Sequence, residues 1–170
     1  MSAMSDDRPR ARRPSLRLPH YDYALPGGYF VTICTHHRAC FFGQVLNGSL
    51  ALAPGGQMVQ DAWEELPERF PHLALGAFIV MPNHVHGILL LQDEVFGVSL
   101  GQIVGAFKSI TTHRYILGVK RSGWPRFDGR LWQDNYFEHV IRNEEAMDRI
   151  REYIVSNPAS WETDPERLPG

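Results

Sequence analysis

Two histidines lie one residue apart in the segment MPNHVHGILLL, residues 81–91. If this apolar segment is a β-strand, side chains at positions i and i+2 project from the same face, so His84 and His86 lie together while Val85 points the other way. Two imidazoles in that arrangement can bind one metal ion. The pair by itself also fits the polar side of a half-exposed strand, because two ligands are too few to specify a metal site.

A third ligand is available on the segment NEEAMDRIREYIVSNP, residues 143–158, which predicts a helix with Asn143 as its N-cap and Pro158 at its end. Tyr153 and Asn157 lie four residues apart and therefore on one helical face. The Asn157 amide oxygen could join the two imidazoles around a hard divalent ion such as Mg²⁺ or Mn²⁺, with Tyr153 one turn away. Helix geometry alone favours simpler roles, namely an aromatic packed on the sheet and a C-cap.

A second group of potential ligands occurs in CTHHRAC, residues 34–40, which contains Cys34, His36, His37 and Cys40. It indicates a zinc site only weakly, because it has no C-x-x-C unit and its first cysteine falls at the end of a predicted strand. The two cysteines fit reduced thiols better than a disulfide framework.

Composition predicts one globular domain with a basic arm. The chain has 170 residues, 44% hydrophobic and 21% charged, and no apolar run approaches the roughly 18 residues of a membrane span. The N-terminus lacks the apolar stretch of a secretory signal, so we expect a cytoplasmic protein with no membrane partner. The net charge of −2 argues against nonspecific coating of nucleic acid. Residues 8–17, RPRARRPSLR, predict a disordered arm that is either solvated or in contact with phosphates.

The elements that must position these side chains follow from hydrophobic periodicity and breaker residues. Asn47-Gly48 predicts a type I′ hairpin, and Pro67 predicts a kink or an early end of the first helix. Ser99 and Gln102 have the spacing of a capping box at the start of the second helix. In chain order we predict a strand at 29–35, a hairpin at 45–52, a helix at 55–70, strands at 77–81 and 85–91, a helix at 99–115, a polar loop at 118–130, a strand at 131–141 and a helix at 143–158.

This order predicts an α+β fold with a ferredoxin-like βαββαβ core, in which an antiparallel sheet has helices on one face and a C-terminal helix is added. The first and third core strands should lie in the middle of the sheet. We expect Val85, Ile88 and Leu90 to contact the helices, which leaves the two histidines on an open face. The predicted divisions are an arm at 1–20, a single domain at 21–165 and a tail at 166–170.

Three segments, VMPNHVHGILLL, LWQDNYFEHVIRNEE and IREYIVSNPASW, resemble the signatures of the single-tyrosine HUH transposases, specifically of the REP-associated tyrosine transposase branch. HUH denotes histidine, a hydrophobic residue and histidine. The resemblance extends through YDYALPGGYFVTICTHHR, GAFKSITTH and NPASWETD, so it covers nearly all of the chain from Arg17 to Asp164. Several motifs in the same order are much more specific than an isolated pair of histidines.

The resemblance implies that residues 21–165 form a HUH transposase-like catalytic domain whose C-terminal helix carries the catalytic tyrosine, Tyr153. The competing tyrosine, Tyr136, belongs to a strand motif and has Val140 rather than an amide four residues later. The implied ligands of Mg²⁺ or Mn²⁺ are His84, His86 and Asn157.

The implied activity is that of a metal-dependent single-stranded-DNA endonuclease and strand transferase, which cleaves and rejoins DNA near hairpin or palindromic repeats through a 5′-phosphotyrosine intermediate. Two alternatives stay open: a non-catalytic protein that binds DNA hairpins, and a metal-dependent phosphodiesterase that uses water. The implied partner is single-stranded or hairpin DNA, and a homodimer is left open. Trp132, Tyr136 and Phe137 are candidates for base stacking, although core packing is the simpler role. The candidate phosphate contacts are Arg10, Arg12, Arg13, Arg17, Lys108 and Arg142.

Overall fold

The computed structural model describes residues 27–92 and 98–167, whose main sheet has four strands and is covered by helices on both faces. The arginines of the predicted arm, Arg10, Arg12, Arg13 and Arg17, lie outside the described residues. The strands are β1 (Gly27–Cys34), β2 (Gly43–Leu46), β3 (Ser49–Leu52), β4 (Leu73–Val80), β5 (His84–Leu91) and β6 (Phe137–Ile141). The α-helices are α1 (Pro54–Glu64), α2 (Leu66–Arg69), α3 (Leu100–Ser122) and α4 (Glu144–Ser156), and 3₁₀ helices span His36–Arg38, Asn157–Thr163 and Pro165–Arg167.

The main sheet has the strand order β4-β5-β1-β6, and every neighbouring pair is antiparallel. With the β2-β3 hairpin set aside, this is the ferredoxin-like arrangement, and its first and third core strands, β1 and β5, lie in the middle as predicted. Across these strands Thr32 pairs with His86 and Cys34 pairs with His84. The predicted α+β class and the central place of the histidine strand are confirmed.

One face of the sheet packs against α1 and α3 and forms the main apolar core. On β1 the alternation of period two directs Tyr29, Val31 and Ile33 into this core. Trp63 of α1 stacks on Phe78 of β4 with ring centroids 4.3 Å apart. Burial of such large side chains makes this face the main source of hydrophobic stabilisation.

The opposite face is covered by α4, so the prediction that this face is open is wrong. The expectation that Ile88 and Leu90 contact the same helices as Val85 is wrong, because alternation puts the even-numbered residues of β5 together on the other face. Both histidines share that face and are buried. The buried apolar side chains there are Phe30, Ile88 and Ile154.

Short-range signals predicted several local features correctly. Asn47 and Gly48 have φ values of 51° and 73°, as a type I′ hairpin requires. The capping box of Ser99 and Gln102, the Asn143 cap of α4 and the break in the first helix at Glu65, before Pro67, also agree with the prediction.

Three elements differ clearly from the prediction in length. Strand β4 begins at Leu73 rather than at residue 77. Helix α3 continues to Ser122 and ends at Gly123, which has the left-handed conformation typical of a C-cap, with a φ of 67°. Trp124 packs back on Gly118, where a Cβ would lie 2.2 Å from Cε3 of the ring. Strand β6 begins only at Phe137. Earlier in the predicted strand, Trp132 forms an isolated antiparallel bridge with Thr35, and its side chain is buried in the main core.

Within the described residues, no helix is both long and apolar enough to cross a membrane. The predicted tail begins inside the last 3₁₀ helix, where Glu166 N donates to Asp164 Oδ1 over 2.8 Å. The domain limits at residues 20 and 165 and the cytoplasmic location stay predictions.

Candidate active site and metal centre

Strand β5 brings His84 and His86 to one face of the sheet, as their spacing predicts. Their Nε2 atoms lie 3.0 Å apart and their ring centroids 4.5 Å apart. The two residues are 0% and 2% exposed. Two imidazole nitrogens directed at one point can either share a proton or act as two ligands of one ion.

A further hydrogen bond sets the orientation of each imidazole. Asn83 Oδ1 lies 2.7 Å from His84 Nδ1, and Thr32 Oγ1 lies 2.8 Å from His86 Nδ1. An amide oxygen only accepts, so His84 Nδ1 donates the hydrogen and the Nε2 lone pair is left for a metal. Thr32 can accept in the same way from His86. Asn83 and Thr32 are therefore positioning residues for the two candidate ligands.

The side chain of Asn83 is fully paired within the turn that precedes His84. Its Nδ2 donates to the carbonyl oxygens of Arg38 and Glu166 over 3.1 Å and 2.7 Å. Its backbone carbonyl accepts from Thr35 N and Thr35 Oγ1 over 2.9 Å and 3.0 Å. A buried amide satisfied on every side restricts the turn, and so fixes the direction of the first imidazole.

Two buried oxygen atoms complete the candidate ligand set. Asn157 follows α4, and Asp164 follows the 3₁₀ helix Asn157–Thr163. Asp164 Oδ2 lies 3.7 Å from His84 Nε2. Among the described residues, Asp164 Oδ2 and Asn157 Oδ1 are buried and have no hydrogen-bond partner. Buried polar oxygens are normally paired, so two such atoms beside two imidazoles fit a divalent cation.

The described part of the chain contains one group of three histidine, cysteine or acidic side chains whose ligand atoms lie within 4.8 Å of one another: His84, His86 and Asp164. The amide of Asn157 is close enough for hydrogen bonding to shift the pKa values of His84, Tyr153 and Asp164. Its role as the third ligand stays a prediction, and Asp164 is a candidate that the sequence pattern did not single out.

Burial keeps both histidines neutral. It lowers the pKa of His84 from 6.5 to about 2, with further lowering by the charges of His86 and Arg38. It lowers the pKa of His86 to about 4. Protons therefore compete for the Nε2 lone pairs only in acid, and at neutral pH these atoms are available to a metal. Burial also raises the pKa of Asp164, an effect that a divalent cation would oppose.

Tyr153 lies beside the histidine pair at the mouth of the site. Its ring centroid is 5.2 Å from that of His86 and 6.1 Å from that of Phe30, and 43% of the residue is exposed. Burial and the negative charge of Asp164 raise the pKa of Tyr153, and hydrogen bonding to Asn157 lowers it. A bound cation would oppose both raising effects and favour the phenolate.

An open cleft extends from Tyr153 and His86 to the start of β6. Phe137 is 46% exposed there, and Tyr136 also lines the cleft, so these two aromatic residues are not confined to the core. Trp132 is a core residue, which agrees with core packing, the simpler of its two candidate roles. Its Nε1 donates to Thr111 Oγ1 over 2.9 Å.

The two candidate phosphate contacts that the structure describes have different surroundings. Lys108 Nζ donates to the carbonyl oxygens of Gln133, Asp134 and Asn135 over 2.8, 3.2 and 3.4 Å, so it supports a loop that borders the cleft. Arg142 is exposed after β6. Contact of either side chain with DNA stays a prediction.

Sequence patterns missed Thr32, Asn83 and Asp164, although each left a signal. Thr32 interrupts an apolar strand, Asn83 directly precedes the first histidine, and Asp164 ends the motif NPASWETD. The alternative metal group in CTHHRAC is not assembled within the described residues, where Cys34 is buried and Cys40 is exposed.

Comparisons with known proteins identify a family and a fold. The family described as Transposase IS200 like matches residues 55–157. An uncharacterized protein of Haemophilus influenzae is 35% identical over 174 residues, which cover 89% of this chain and 91% of that protein. The structure of a REP-associated tyrosine transposase bound to a REP hairpin is similar with a TM-score of 0.54 and 22% identity, over 87% of this chain and 74% of that one. A putative transposase from Deinococcus radiodurans is similar with a TM-score of 0.50 and 20% identity, over 84% of this chain and 96% of that one.

Proposed function

This chain belongs to the family of IS200-like transposases, and we propose that it is a metal-dependent single-tyrosine transposase that cleaves and rejoins single-stranded DNA. The proposed nucleophile is Tyr153. The observation that carries the proposal is its position: the ring lies 5.2 Å from that of His86, at the mouth of a buried group of imidazole, carboxylate and amide ligands.

In the proposed reaction the Tyr153 oxygen attacks a phosphodiester of a single strand. A bond forms between this oxygen and phosphorus, the bond from phosphorus to the 3′ oxygen breaks, the phenol loses its proton, and the 3′ oxygen gains one. The 5′-phosphotyrosine link remains an activated ester. A 3′ hydroxyl can therefore attack it later and reseal or exchange strands without the use of water, which is the chemistry of DNA recombination and transposition.

The proposed cofactor is Mg²⁺ or Mn²⁺, which accept imidazole and oxygen ligands. A bound cation neutralises charge on the attacked phosphate. The chain supplies neutral Nε2 atoms whose direction is set by Asn83 and Thr32. Tyr153 lies one helical turn before the proposed amide ligand Asn157, the C-cap residue directly after α4, so the nucleophile and the ligand lie on one continuous segment. The residues that would hold the cation are His84, His86, Asp164 and Asn157.

The proposed substrate is single-stranded DNA beside a hairpin. The REP-associated transposase of similar fold was solved with a REP hairpin, and the motifs of this chain resemble that branch. The exposed ring of Phe137 at the cleft can stack on an unpaired base. A homodimer stays a prediction that sedimentation velocity tests. The proposed phosphate contacts are Lys108, Arg142 and the arm residues Arg10, Arg12, Arg13 and Arg17.

The proposal is tested by incubating the full chain with Mn²⁺ or Mg²⁺ and end-labelled single-stranded DNA that contains an imperfect hairpin. The expected result is a labelled protein band that resists SDS and disappears in Tyr153→Phe, because phenylalanine cannot form the ester. DNA binding by Tyr153→Phe should remain, since the substitution removes one oxygen from a half-exposed side chain.

Tyr136→Phe is the matched control, because Tyr136 lines the same cleft. It should retain the adduct. DNA cleavage that persists in Tyr153→Phe would support the phosphodiesterase alternative, and hairpin binding without cleavage by the wild-type protein would support the non-catalytic alternative.

A further inference from the structure

Arg38 lies in an unusual turn next to the candidate metal centre. His37 and Arg38 have φ values of 55° and 52°, a left-handed conformation that residues with a Cβ rarely adopt. Arg38 N donates to Thr35 O, and Arg38 O accepts from Asn83 Nδ2 over 3.1 Å. The same Asn83 amide accepts from His84 Nδ1. One buried side chain therefore fixes both the first imidazole and the backbone of Arg38.

Arg38 is one of the residues that line the cleft, together with Tyr153 and His86. Its Nη1 donates to a carboxylate oxygen of Glu166 and to Pro165 O. Within residues 27–92 and 98–167, its Nε is buried and has no partner. The pairing with Glu166 restrains a long side chain, while the guanidinium still has donors that the described contacts do not use.

We propose that Arg38 donates to a non-bridging oxygen of the phosphate that Tyr153 attacks, and that Glu166 is the positioning residue that holds Arg38 there. This inference rests on the proposed function. As the bond from Tyr153 to phosphorus forms and the bond to the 3′ oxygen breaks, negative charge on the equatorial oxygens must be stabilised. A guanidinium suits this task, because its planar donors match two phosphate oxygens and it stays protonated throughout.

Arg38 also lies close to the candidate ligands. It lines the same cleft as His86 and Tyr153, and its carbonyl oxygen accepts from the Asn83 amide that orients His84. A phosphate in this cleft would therefore lie near Arg38, whereas Lys108 donates to three backbone carbonyl oxygens.

The first experiment uses the hairpin DNA on which the wild-type protein forms most adduct. It measures the rate of adduct formation at saturating DNA and Mn²⁺, and separately the affinity for the same oligonucleotide. Arg38→Gln should lower the rate about 100-fold or more, as for loss of one donor to a developing oxyanion. Its DNA affinity should change much less. Arg114→Gln is the matched control, because Arg114 forms an exposed ion pair with Glu65 away from the cleft, and it should retain the wild-type rate.

The second experiment replaces each non-bridging oxygen of the scissile phosphate with sulfur, one diastereomer at a time. The wild-type protein should be slowed at least about tenfold by one diastereomer, since one charge-assisted hydrogen bond is weakened. In Arg38→Gln the same diastereomer should reduce the rate less than about threefold. On a logarithmic scale this is roughly half of the tenfold reduction expected for the wild-type protein. If Arg38→Gln fails to fold, Arg38→Lys gives the same comparison, because it keeps the charge and loses the planar fork.

The outcomes separate the two proposals. A wild-type protein that forms no adduct on any hairpin DNA overturns the proposed function and this role together. Adduct formation that is unaffected in Arg38→Gln, or sulfur effects that are equal in the variant and the wild type, overturns the role of Arg38 alone.

Discussion

The two faces of the central sheet are built from different kinds of side chain. Large apolar residues fill the face under α1 and α3, whereas the face under α4 has only a small apolar cluster beside a group of buried polar side chains. Burial of a polar group costs free energy unless the group is paired, so the second face gives up stability for a set of ligands. Its buried polar members are Thr32, Asn83, His84, His86, Asn157 and Asp164.

One pair of strands contributes to both faces. In β1 and β5, residues of one parity enter the apolar core while their neighbours, such as Thr32 and His86, form the candidate site. The packed core thereby holds the ligand backbone rigid without contributing atoms to the chemistry. Changes on the core face should therefore alter stability, and changes on the α4 face should alter the response to metal.

The largest expected effect is on the core face. Trp63→Ala removes a 1% exposed ring that stacks on Phe78, and it should lower the free energy of unfolding by about 3–5 kcal/mol. Urea denaturation measures this loss, and Leu46→Ala, at a residue 57% exposed, should change little. If Trp63→Ala folded normally yet lost all stabilisation by Mn²⁺, the division of roles between the two faces would be contradicted.

The second expected effect is on the ligand face. If the site binds Mn²⁺, an ion concentration of 100 times Kd should stabilise the wild-type protein by about 2.7 kcal/mol, and His84→Ala should abolish that gain. Thermal unfolding with and without Mn²⁺ measures it. His139→Ala, at an exposed histidine of β6, should respond to Mn²⁺ as the wild type does. An unchanged response in His84→Ala would remove His84 from the ligand set.

Thr32→Val tests the role of one hydroxyl on the α4 face at nearly constant side-chain volume. It removes the hydroxyl that lies 2.8 Å from His86 Nδ1, so the affinity for Mn²⁺ should fall about 10–100-fold. Titration calorimetry measures this change. Thr111→Val is the counterpart on the α3 side, where Thr111 Oγ1 donates to Phe107 O, and it should leave the affinity unaltered. Equal affinities in the two variants would show that Thr32 has no positioning role.

The last prediction concerns pH without metal. The folded pKa values of His84 and His86 are lowered to about 2 and about 4 from 6.5, so the unfolded chain binds more protons below pH 6.5. Their contribution to stability is therefore complete above pH 6.5 and is lost progressively as the pH falls toward the folded pKa values. Urea unfolding between pH 7.5 and 4.5 in EDTA should show this loss, and replacing both histidines with alanine should reduce it.

Much of the site could be predicted because its parts are local. The i, i+2 spacing of His84 and His86 and the i, i+4 spacing of Tyr153 and Asn157 determine shared faces as soon as the strand and the helix form. The turn and cap residues were predicted for the same reason, since their hydrogen bonds lie within a few residues. The structure places both pairs as the spacings require.

The rest depended on contacts between distant segments. Only the path of the 3₁₀ helix after α4 brings Asp164 Oδ2 to 3.7 Å from His84 Nε2. The error at Ile88 and Leu90 has a different origin, because strand alternation alone already puts them on the face of His84 and His86. What alternation does not specify is that α4 covers this face.

The sequence by itself determined the order of elements, the pairing of His84 with His86 and that of Tyr153 with Asn157, because these follow from backbone periodicity and short-range hydrogen bonds. The tertiary structure alone decided that α4 covers the histidine face, that Asn83 joins the first imidazole to Arg38, and that a carboxylate enters the group. These outcomes depend on the free energy of burial and packing summed over the whole chain, which cannot be read from any single segment.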